Sequence, residues 1–156
     1  MKKVVLFVVF LFITKFSYSQ NIFPEKFSGC VTDHFALESD SLVAKTDVPV
    51  FIKTIISSLD AKSKSKIKGV LSLQIIVDMD GNSCLISIKN DTNIKSSKFE
   101  LKEIIDETIK WNNPSKKVSP LIQLKFNSNS VQYIRLGINA KKGNHIIEEY
   151  EIPIEF

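Results

Sequence analysis

Residues 78–82 carry the spacing in this chain that comes nearest to a metal-binding motif. Asp78, Asp80 and Asn82 alternate like the first ligands of a calcium loop, and their side-chain oxygens are donors that Ca²⁺ prefers. The later positions differ from that motif. The sixth position, which needs a glycine, is Ser83, and the twelfth, which needs a bidentate glutamate, is Lys89. The spacing therefore predicts no metal site.

The same residues are typical of a tight turn between two strands. Asp80 and Gly81 form an Asp-Gly pair, which favours a tight turn between two strands because glycine accepts a positive φ without a Cβ penalty. Apolar side chains alternate on both sides of this turn, at Leu71, Leu73, Ile75 and Val77 and then at Cys84, Ile86 and Ile88. We predict a β-hairpin.

Nothing else in the sequence has the pattern of a catalytic or cofactor site. The two histidines, His34 and His145, have no carboxylate or cysteine at ligand spacing. There is also no glycine loop for phosphate and no serine elbow. We predict a non-enzymatic protein with no catalytic residue, no cofactor and no metal.

The first residues are typical of a secretory signal peptide. Lys2 and Lys3 precede an apolar run at residues 4–13, and Ser17 and Ser19 are the small residues of a cleavage site before Gln20. We therefore predict a cleaved signal peptide at residues 1–19 and a periplasmic or secreted mature protein.

The alternative is an uncleaved membrane anchor. A spanning helix needs roughly 20 apolar residues, and Lys15 interrupts this run too early. No stable membrane insertion is expected after cleavage. Without the three lysines of residues 1–19, the formal net charge falls from +4 to +1, so the charge predicts no nucleic-acid partner.

Two interpretations of the cysteines stay open. In an exported chain Cys30 and Cys84 are free to form a disulfide. Alternatively, Cys84 continues the apolar alternation of its strand and is a small buried hydrophobic residue.

The rest of the chain predicts two helices and further strands. Residues 20–46 show no sustained period and are predicted to be irregular. A short amphipathic helix follows, with Asp47 as its N-cap and one apolar face at Phe51, Ile52, Ile55, Ile56 and Leu59. The second helix starts at a capping box of Ser97 and Glu100, pairs Asp106 with Lys110, and has its apolar face at Leu101, Ile104, Ile105 and Ile109.

A strand at residues 120–126 and a hairpin at residues 131–156 complete the order of elements. The whole pattern predicts an α+β fold, with two helices packed on one face of a small antiparallel sheet and an extra C-terminal hairpin.

Several of these residues, taken in order, resemble the TonB C-terminal domain. Gly69, the alternating apolar residues and the Asp-x-Asp-Gly turn resemble the first hairpin of that family. The first predicted helix resembles the first helix of that family at Phe51, Ile52 and Leu59. The second predicted helix resembles the family's second helix at Leu101, Ile105, Trp111 and Pro114. The closing strand of the family matches residues 119–126 by spacing and residues 149–156 by a Pro-Ile-x-Phe ending, and spacing favours the first match.

The resemblance implies a TonB C-terminal-like domain at residues 47–156. Members of that family bind periplasmic segments of outer-membrane transporters of Gram-negative bacteria by adding a strand to a sheet edge. This chain lacks a spanning anchor, a proline-rich spacer, and the usual Tyr-Pro, in whose place stand Leu59 and Asp60. We therefore expect binding to a protein or peptide without force transduction. The alternative is a secreted structural or adaptor protein.

The additional hairpin shifts the expected binding edge. If it pairs against residues 121–126, the free edge lies on the last strand, at Ile146, Glu148, Tyr150 and Ile152. Pro153 shortens that edge because it has no N–H. The last strand also carries an acidic cluster of Glu148, Glu149, Glu151 and Glu155, which favours a basic or neutral partner. We also predict that Arg135 pairs with these glutamates and that Trp111 lies in the core.

Overall fold

The computed structural model describes residues 21–139, 141 and 143–154. The predicted signal peptide, its cleavage point at Gln20, and residues 155 and 156 lie outside the described residues. In the part of the chain that is described, no helix is long and apolar enough to cross a membrane.

The described chain has an α+β fold, as the sequence predicts. Its strands are β1 (Glu25–Lys26), β2 (Ala36–Leu37), β3 (Gly69–Val77), β4 (Ser83–Thr92), β5 (Val118–Ser119), β6 (Leu121–Phe126), β7 (Ser130–Asn139) and β8 (Gly143–Pro153). Its helices are α1 (Val48–Ser57), α2 (Ala61–Lys64) and α3 (Leu101–Glu103), together with a 3₁₀ turn (Ser96–Lys98) and a π-helical turn (Ile104–Thr108).

All eight strands belong to one sheet. The main order is β1-β4-β3-β6-β7-β8, with every neighbouring pair antiparallel. The short β5 pairs with the end of β3, and β2 pairs with β5 in the parallel direction. The predicted C-terminal hairpin is therefore present as β7 and β8. It makes β6 an internal strand and β8 a terminal one.

The first predicted hairpin is β3 and β4. Alternating side chains of β3 on the helix side, at Leu71, Leu73 and Ile75, are fully buried. The opposite side of β3 is also covered, because the backbone N–H of Ile22 donates to Gln74 Oε1 at 2.7 Å. β3 is therefore covered on both faces.

The Asp-Gly turn also holds the segment that follows the second helical region. Gly81 has φ +79°, and a Cβ at this position would lie 2.3 Å from the carbonyl oxygen of Trp111. The N–H of Trp111 donates back to the carbonyl of Gly81 at 3.3 Å. Glycine is thus required here both for the backbone conformation and for the close approach.

Helix α1 begins as predicted. The Asp47 side chain accepts a hydrogen bond from the N–H of Val50 at 3.0 Å, which satisfies a donor that has no partner within the helix. On the buried face, the ring of Phe51 meets Tyr133 of β7 edge to face, with 6.0 Å between centroids, and Trp111 in the same way at 6.1 Å. Trp111 is 5% exposed and belongs to the core, as expected.

The second predicted helix is wrong in its length and its start. The predicted continuous helix is replaced by a 3₁₀ turn, α3 and a π-helical turn, which together end at Thr108. Glu100 adopts a left-handed conformation with φ 50° and makes no side-chain cap, so the predicted capping box does not form. Lys110 lies beyond the helical turns, and Asp106 forms its ion pair with Lys102 instead.

Contacts with β4 explain this irregularity. The hydroxyl of Ser83 donates to the carbonyl of Ile105 at 2.5 Å, and the Asp106 carboxylate accepts from the N–H of Leu85 at 2.8 Å. These bonds tie the helical turns to the adjacent strand β4. The branched side chains of Ile104 and Ile105 lower helix propensity further.

The N-terminal segment, residues 21–46, is mainly irregular, as predicted. It contains only β1, β2 and an isolated bridge between Ser39 and Leu42. The segment nevertheless crosses the molecule, because β1 pairs with β4 and the carbonyl of Glu38 accepts from the N–H of Ile138 at 2.8 Å.

Candidate functional site

The terminal strand β8 carries all four residues of the predicted binding edge. Within the described residues, no strand pairs with its outer side. Ile146 and Tyr150 are 52% and 45% exposed, whereas Glu148 and Ile152 are half-buried. A register shift of the β7–β8 ladder lies between Ile146 and Glu148. β8 is therefore the last strand of the sheet in the part of the chain that is described.

The ladder determines which backbone groups of β8 point outward. The N–H of Ile154 donates to the carbonyl of Asn129 at 3.0 Å, so its backbone faces β7. In an antiparallel pair this direction alternates along the strand, which turns the N–H and C=O groups of Glu149 and Glu151 outward. Pro153 also points outward, where its missing N–H costs no bond within the protein.

An apolar groove adjoins this edge on the helix side. It has a volume of about 530 Å³ and lies between α1 and the end of β8. Four isoleucines contribute to its lining, namely Ile52, Ile56, Ile152 and Ile154.

Two lysines border the groove as well. Lys53 comes from α1 and Lys64 from α2. Asp60 caps α2 by accepting from the N–H of Ser63 at 2.8 Å, which positions the short helix that carries Lys64. Among the described residues, neither lysine forms an ion pair. The groove therefore combines an apolar surface with positive charge.

Behind the edge, the single arginine of the chain is fully buried. Arg135 is 0% exposed and Glu38 is 1% exposed. The guanidinium Nε donates to Glu38 Oε2 at 2.5 Å, and Nη2 donates to Glu38 Oε1 and to the carbonyl of Ala44. The N–H of Ala44 completes the set by donating to Glu38 Oε1 at 2.7 Å. The pair is bidentate and joins β7 to the N-terminal segment.

The predicted partner of Arg135 is present but secondary. Glu148 lies opposite Arg135 in the β7–β8 register, and its Oε2 is 3.4 Å from Nη1. The guanidinium carbon also lies 5.5 Å from the ring centroid of Trp111, within cation–π range. Arg135 thus connects the edge strand, the core aromatic residue and the N-terminal segment.

Burial and ion pairing shift the pKa values of Glu38 and Arg135 in opposite directions. Burial raises the pKa of Glu38 above its usual range, although the hydrogen bonds from Arg135 lower it. Burial lowers the pKa of Arg135, but the hydrogen bonds with Glu38 and the electrostatic effects of Tyr133, Glu38 and Glu148 together outweigh it and leave the pKa raised. The hydroxyl of Tyr133, buried beside them without a hydrogen-bond partner among the described residues, has a pKa raised by burial.

The sequence itself contains a signal that Arg135 is buried and paired. Arg135 falls in step with Val131 and Tyr133, which lie on the apolar side of the strand. A charge on that side must be paired. No local pattern identifies Glu38 as the partner, because it lies 97 residues away.

The two sulfurs of Cys30 and Cys84 are bonded, with Cα atoms 5.7 Å apart. The disulfide ties the N-terminal segment to β4. The ammonium of Lys102 lies 3.1 Å from the Cys84 sulfur and also pairs with Asp106. Of the two interpretations left open by the sequence, the structure has the disulfide.

In the part of the chain that is described, the histidines and acidic residues do not gather into a metal site. His145 contacts Asp40 at 2.6 Å between Nε2 and Oδ1, which adds a further link to the N-terminal segment. Among the described residues, no three His, Cys, Asp or Glu side chains are placed to hold a metal ion.

At the 78–82 turn, the Asp78 carboxylate is engaged by the protein itself. Its Oδ1 accepts from the N–H groups of Asp80 and Asn82 at 2.9 and 3.0 Å, and its Oδ2 accepts from the Asn82 side chain. Burial raises the pKa of Asp78, but the hydrogen bonds from Asn82 and Asp80 outweigh it, so that the pKa is lowered. The carboxylate acts as a turn-forming acceptor.

We expect calcium to leave the melting temperature unchanged, because cation binding at this turn would have to displace hydrogen bonds that hold the hairpin. A titration to millimolar calcium, followed by thermal unfolding, measures this. Asp80→Asn serves as the matched variant, since Asp80 makes no side-chain bond in the turn. Stabilisation by several degrees in the protein, reduced in Asp80→Asn, would contradict the expectation.

Comparison with known proteins adds no relative, since the chain matches no family model, no curated protein and no solved structure. The resemblance to the TonB C-terminal domain therefore rests on the residues quoted from the sequence.

Proposed function

We propose that this protein is a non-enzymatic peptide-binding module that receives an extended segment of a partner protein along β8. The observation that carries this proposal is the outer side of β8, a strand of eleven residues. Among the described residues, β7 pairs with the inner side of β8 and no strand pairs with the outer side. Unpaired N–H and C=O groups on such an edge bind an added strand through main-chain hydrogen bonds.

The surroundings of β8 support the proposal in two ways. The hydrogen-bond ladder with β7 and the contact of Arg135 with Glu148 hold β8 in place. Little conformational entropy of β8 is therefore lost when a peptide binds. The groove beside α1 offers space for side chains of the added strand. Addition of an extended peptide to a sheet edge, with pockets for its alternate side chains, is a recurring mode of recognition.

The proposed cellular context follows from the sequence. With its predicted signal peptide at residues 1–19, the protein acts in the periplasm or outside the cell, and an outer-membrane transporter is the proposed partner. In this proposal α1 and the helical region at residues 96–108 are the two helices on one face of the sheet. Phe51, Leu101 and Ile105, from these two regions, share one hydrophobic core.

One observation favours the second candidate, a structural or adaptor protein without a transport role. Strand β6, which corresponds to the closing strand of the resembled family by spacing, is covered by β7 along its whole length. The edge that this family uses for its partner is therefore occupied. On this reading the hairpin stabilises the fold and β8 binds nothing.

An edge-blocking variant distinguishes the two candidates. In Glu151→Pro the outward N–H is removed from β8, and we expect binding of an extended peptide to weaken by roughly 2- to 12-fold, the value of one hydrogen bond. The probe is a synthetic peptide from the periplasmic N-terminal segment of an outer-membrane transporter. Amide shifts locate its binding, and a titration measures the dissociation constant.

The matched control is Glu151→Ala, which removes the same carboxylate and keeps the N–H. Equal weakening in both variants would assign the effect to charge and contradict strand addition. Amide shifts confined to loops, with none along β8, would favour the structural role.

A further inference from the structure

We infer that the groove between α1 and β8 is an acidic-side-chain subsite that selects the sequence of the peptide added to β8. The inference rests on the proposed function and adds the chemistry of the ligand. The ligand is an extended peptide with apolar and acidic side chains on one face and basic side chains on the other.

The alternation of β8 determines which side chains of the peptide meet the groove. Tyr150 lies opposite Tyr133, whose ring contacts Phe51 of α1, so this side of β8 faces the helix. Ile152 and Ile154 follow on the same side and line the groove. Every second residue of an added strand therefore points toward α1, beside these residues.

The side of β8 that faces away from the helix favours basic side chains in the added strand. Glu149 and Glu151 point away from the helix, where they accept from the side chains of Gln132 and Ser130. The intervening residues of an added strand lie beside these carboxylates. Basic residues at those positions are favoured because opposite charges on neighbouring strands attract each other.

The charge of the groove decides between an acidic and a basic residue on the helix side. Its charged lining residues are Lys53 and Lys64, both lysines. An acidic side chain beside apolar ones meets both ammonium groups, whereas a basic one would be repelled. The groove thus takes isoleucine-like and glutamate-like side chains together.

Two synthetic seven-residue peptides test this inference. In the first, lysine on one face alternates with isoleucine and glutamate on the other, and in the second glutamine replaces each glutamate. We expect the glutamate peptide to bind roughly two- to fivefold more tightly at low salt, as exposed ion pairs allow. High salt should reduce this preference, because it screens surface charges.

Variants of the lysines assign the preference to the groove. Lys53→Glu should abolish or reverse the preference for the glutamate peptide. Lys62→Glu is the matched control, because Lys62 is exposed on α2 and does not line the groove, and it should leave the preference in place. Both variants change surface residues, so thermal unfolding should confirm an intact fold.

The outcomes separate the two proposals. Amide shifts along β8 with both peptides, but no preference between them, would overturn the subsite and leave strand addition standing. Absence of shifts along β8 with either peptide would overturn both. A preference that emerges only in a variant ending at Ile154 would show that residues 155 and 156 occupy the groove, which also overturns the subsite.

Discussion

Replacing Arg135 with methionine is expected to lower the free energy of unfolding by about 3–5 kcal/mol, the cost of breaking a buried ion pair by removing one partner. The variant leaves Glu38 at 1% exposure without the guanidinium that donates to both of its oxygens. It also removes the link between β7 and the N-terminal segment. Denaturant unfolding at pH 7 measures the change.

The pH dependence of the stability of Arg135→Met tests whether the unpaired Glu38 carboxylate causes the destabilisation. Burial already raises the pKa of Glu38, and loss of Arg135 removes the interaction that lowers it. A carboxyl with a raised native pKa stabilises the fold below its unfolded pKa, and this contribution is lost as the pH rises through the native pKa. The destabilisation by Arg135→Met should therefore be smaller at pH 4 than at pH 7.

Two further variants serve as controls for this prediction. Lys125→Met removes a positive charge from an exposed position of β6 and should change the stability by less than about 0.5 kcal/mol. The double variant Glu38→Leu, Arg135→Met should recover part of the loss, because it leaves no unpaired charge. If Arg135→Met is as stable as Lys125→Met, the ion pair of Glu38 and Arg135 contributes little to the free energy of unfolding.

Removal of the disulfide is the second large effect that we expect. The bond joins residues separated by 54 positions, and in the chain-entropy model a loop of this size stabilises the fold by roughly 4 kcal/mol. We expect the double variant Cys30→Ala, Cys84→Ala to melt about ten degrees lower or more. Thermal unfolding of the protein and the variant measures the difference.

Reduction provides an independent test of the same bond. A dithiol reductant should lower the melting temperature of the protein to near that of the variant, and it should leave the variant unchanged. The ion pairs Asp33 with Lys117 and Glu38 with Arg135 still hold the N-terminal segment in the reduced protein. An unchanged melting temperature, with the thiols shown to be free, would contradict the predicted contribution.

Elements with a strong local pattern were predictable from the sequence. The Asp-Gly turn and its alternating flanks predict β3 and β4, and Asp47 predicts the start of α1. In each case the signal lies within about fifteen residues and reflects the geometry of one element, a period of two for a strand and 3.6 for a helix. The hairpin of β7 and β8 follows for the same reason.

The second helix shows where local pattern fails. Its apolar spacing and apparent capping box predict a regular helix, but Glu100 is left-handed and the helical turns end at Thr108. Hydrogen bonds from Ser83 and Leu85 reach this region from another strand. Tertiary contacts of this kind override propensity, which differs by less than about 1 kcal/mol per residue among ordinary amino acids.

By itself, then, the sequence determined the α+β class, the main hairpins and the presence of an edge strand near the C-terminus. Only the tertiary structure decided that Cys30 meets Cys84, that Glu38 neutralises Arg135, and that α1 and β8 form a groove. The period of the apolar residues in the sequence predicts which face of a helix or strand is buried. The partner on that face depends on packing across 54 to 97 residues of chain, for which no local pattern exists.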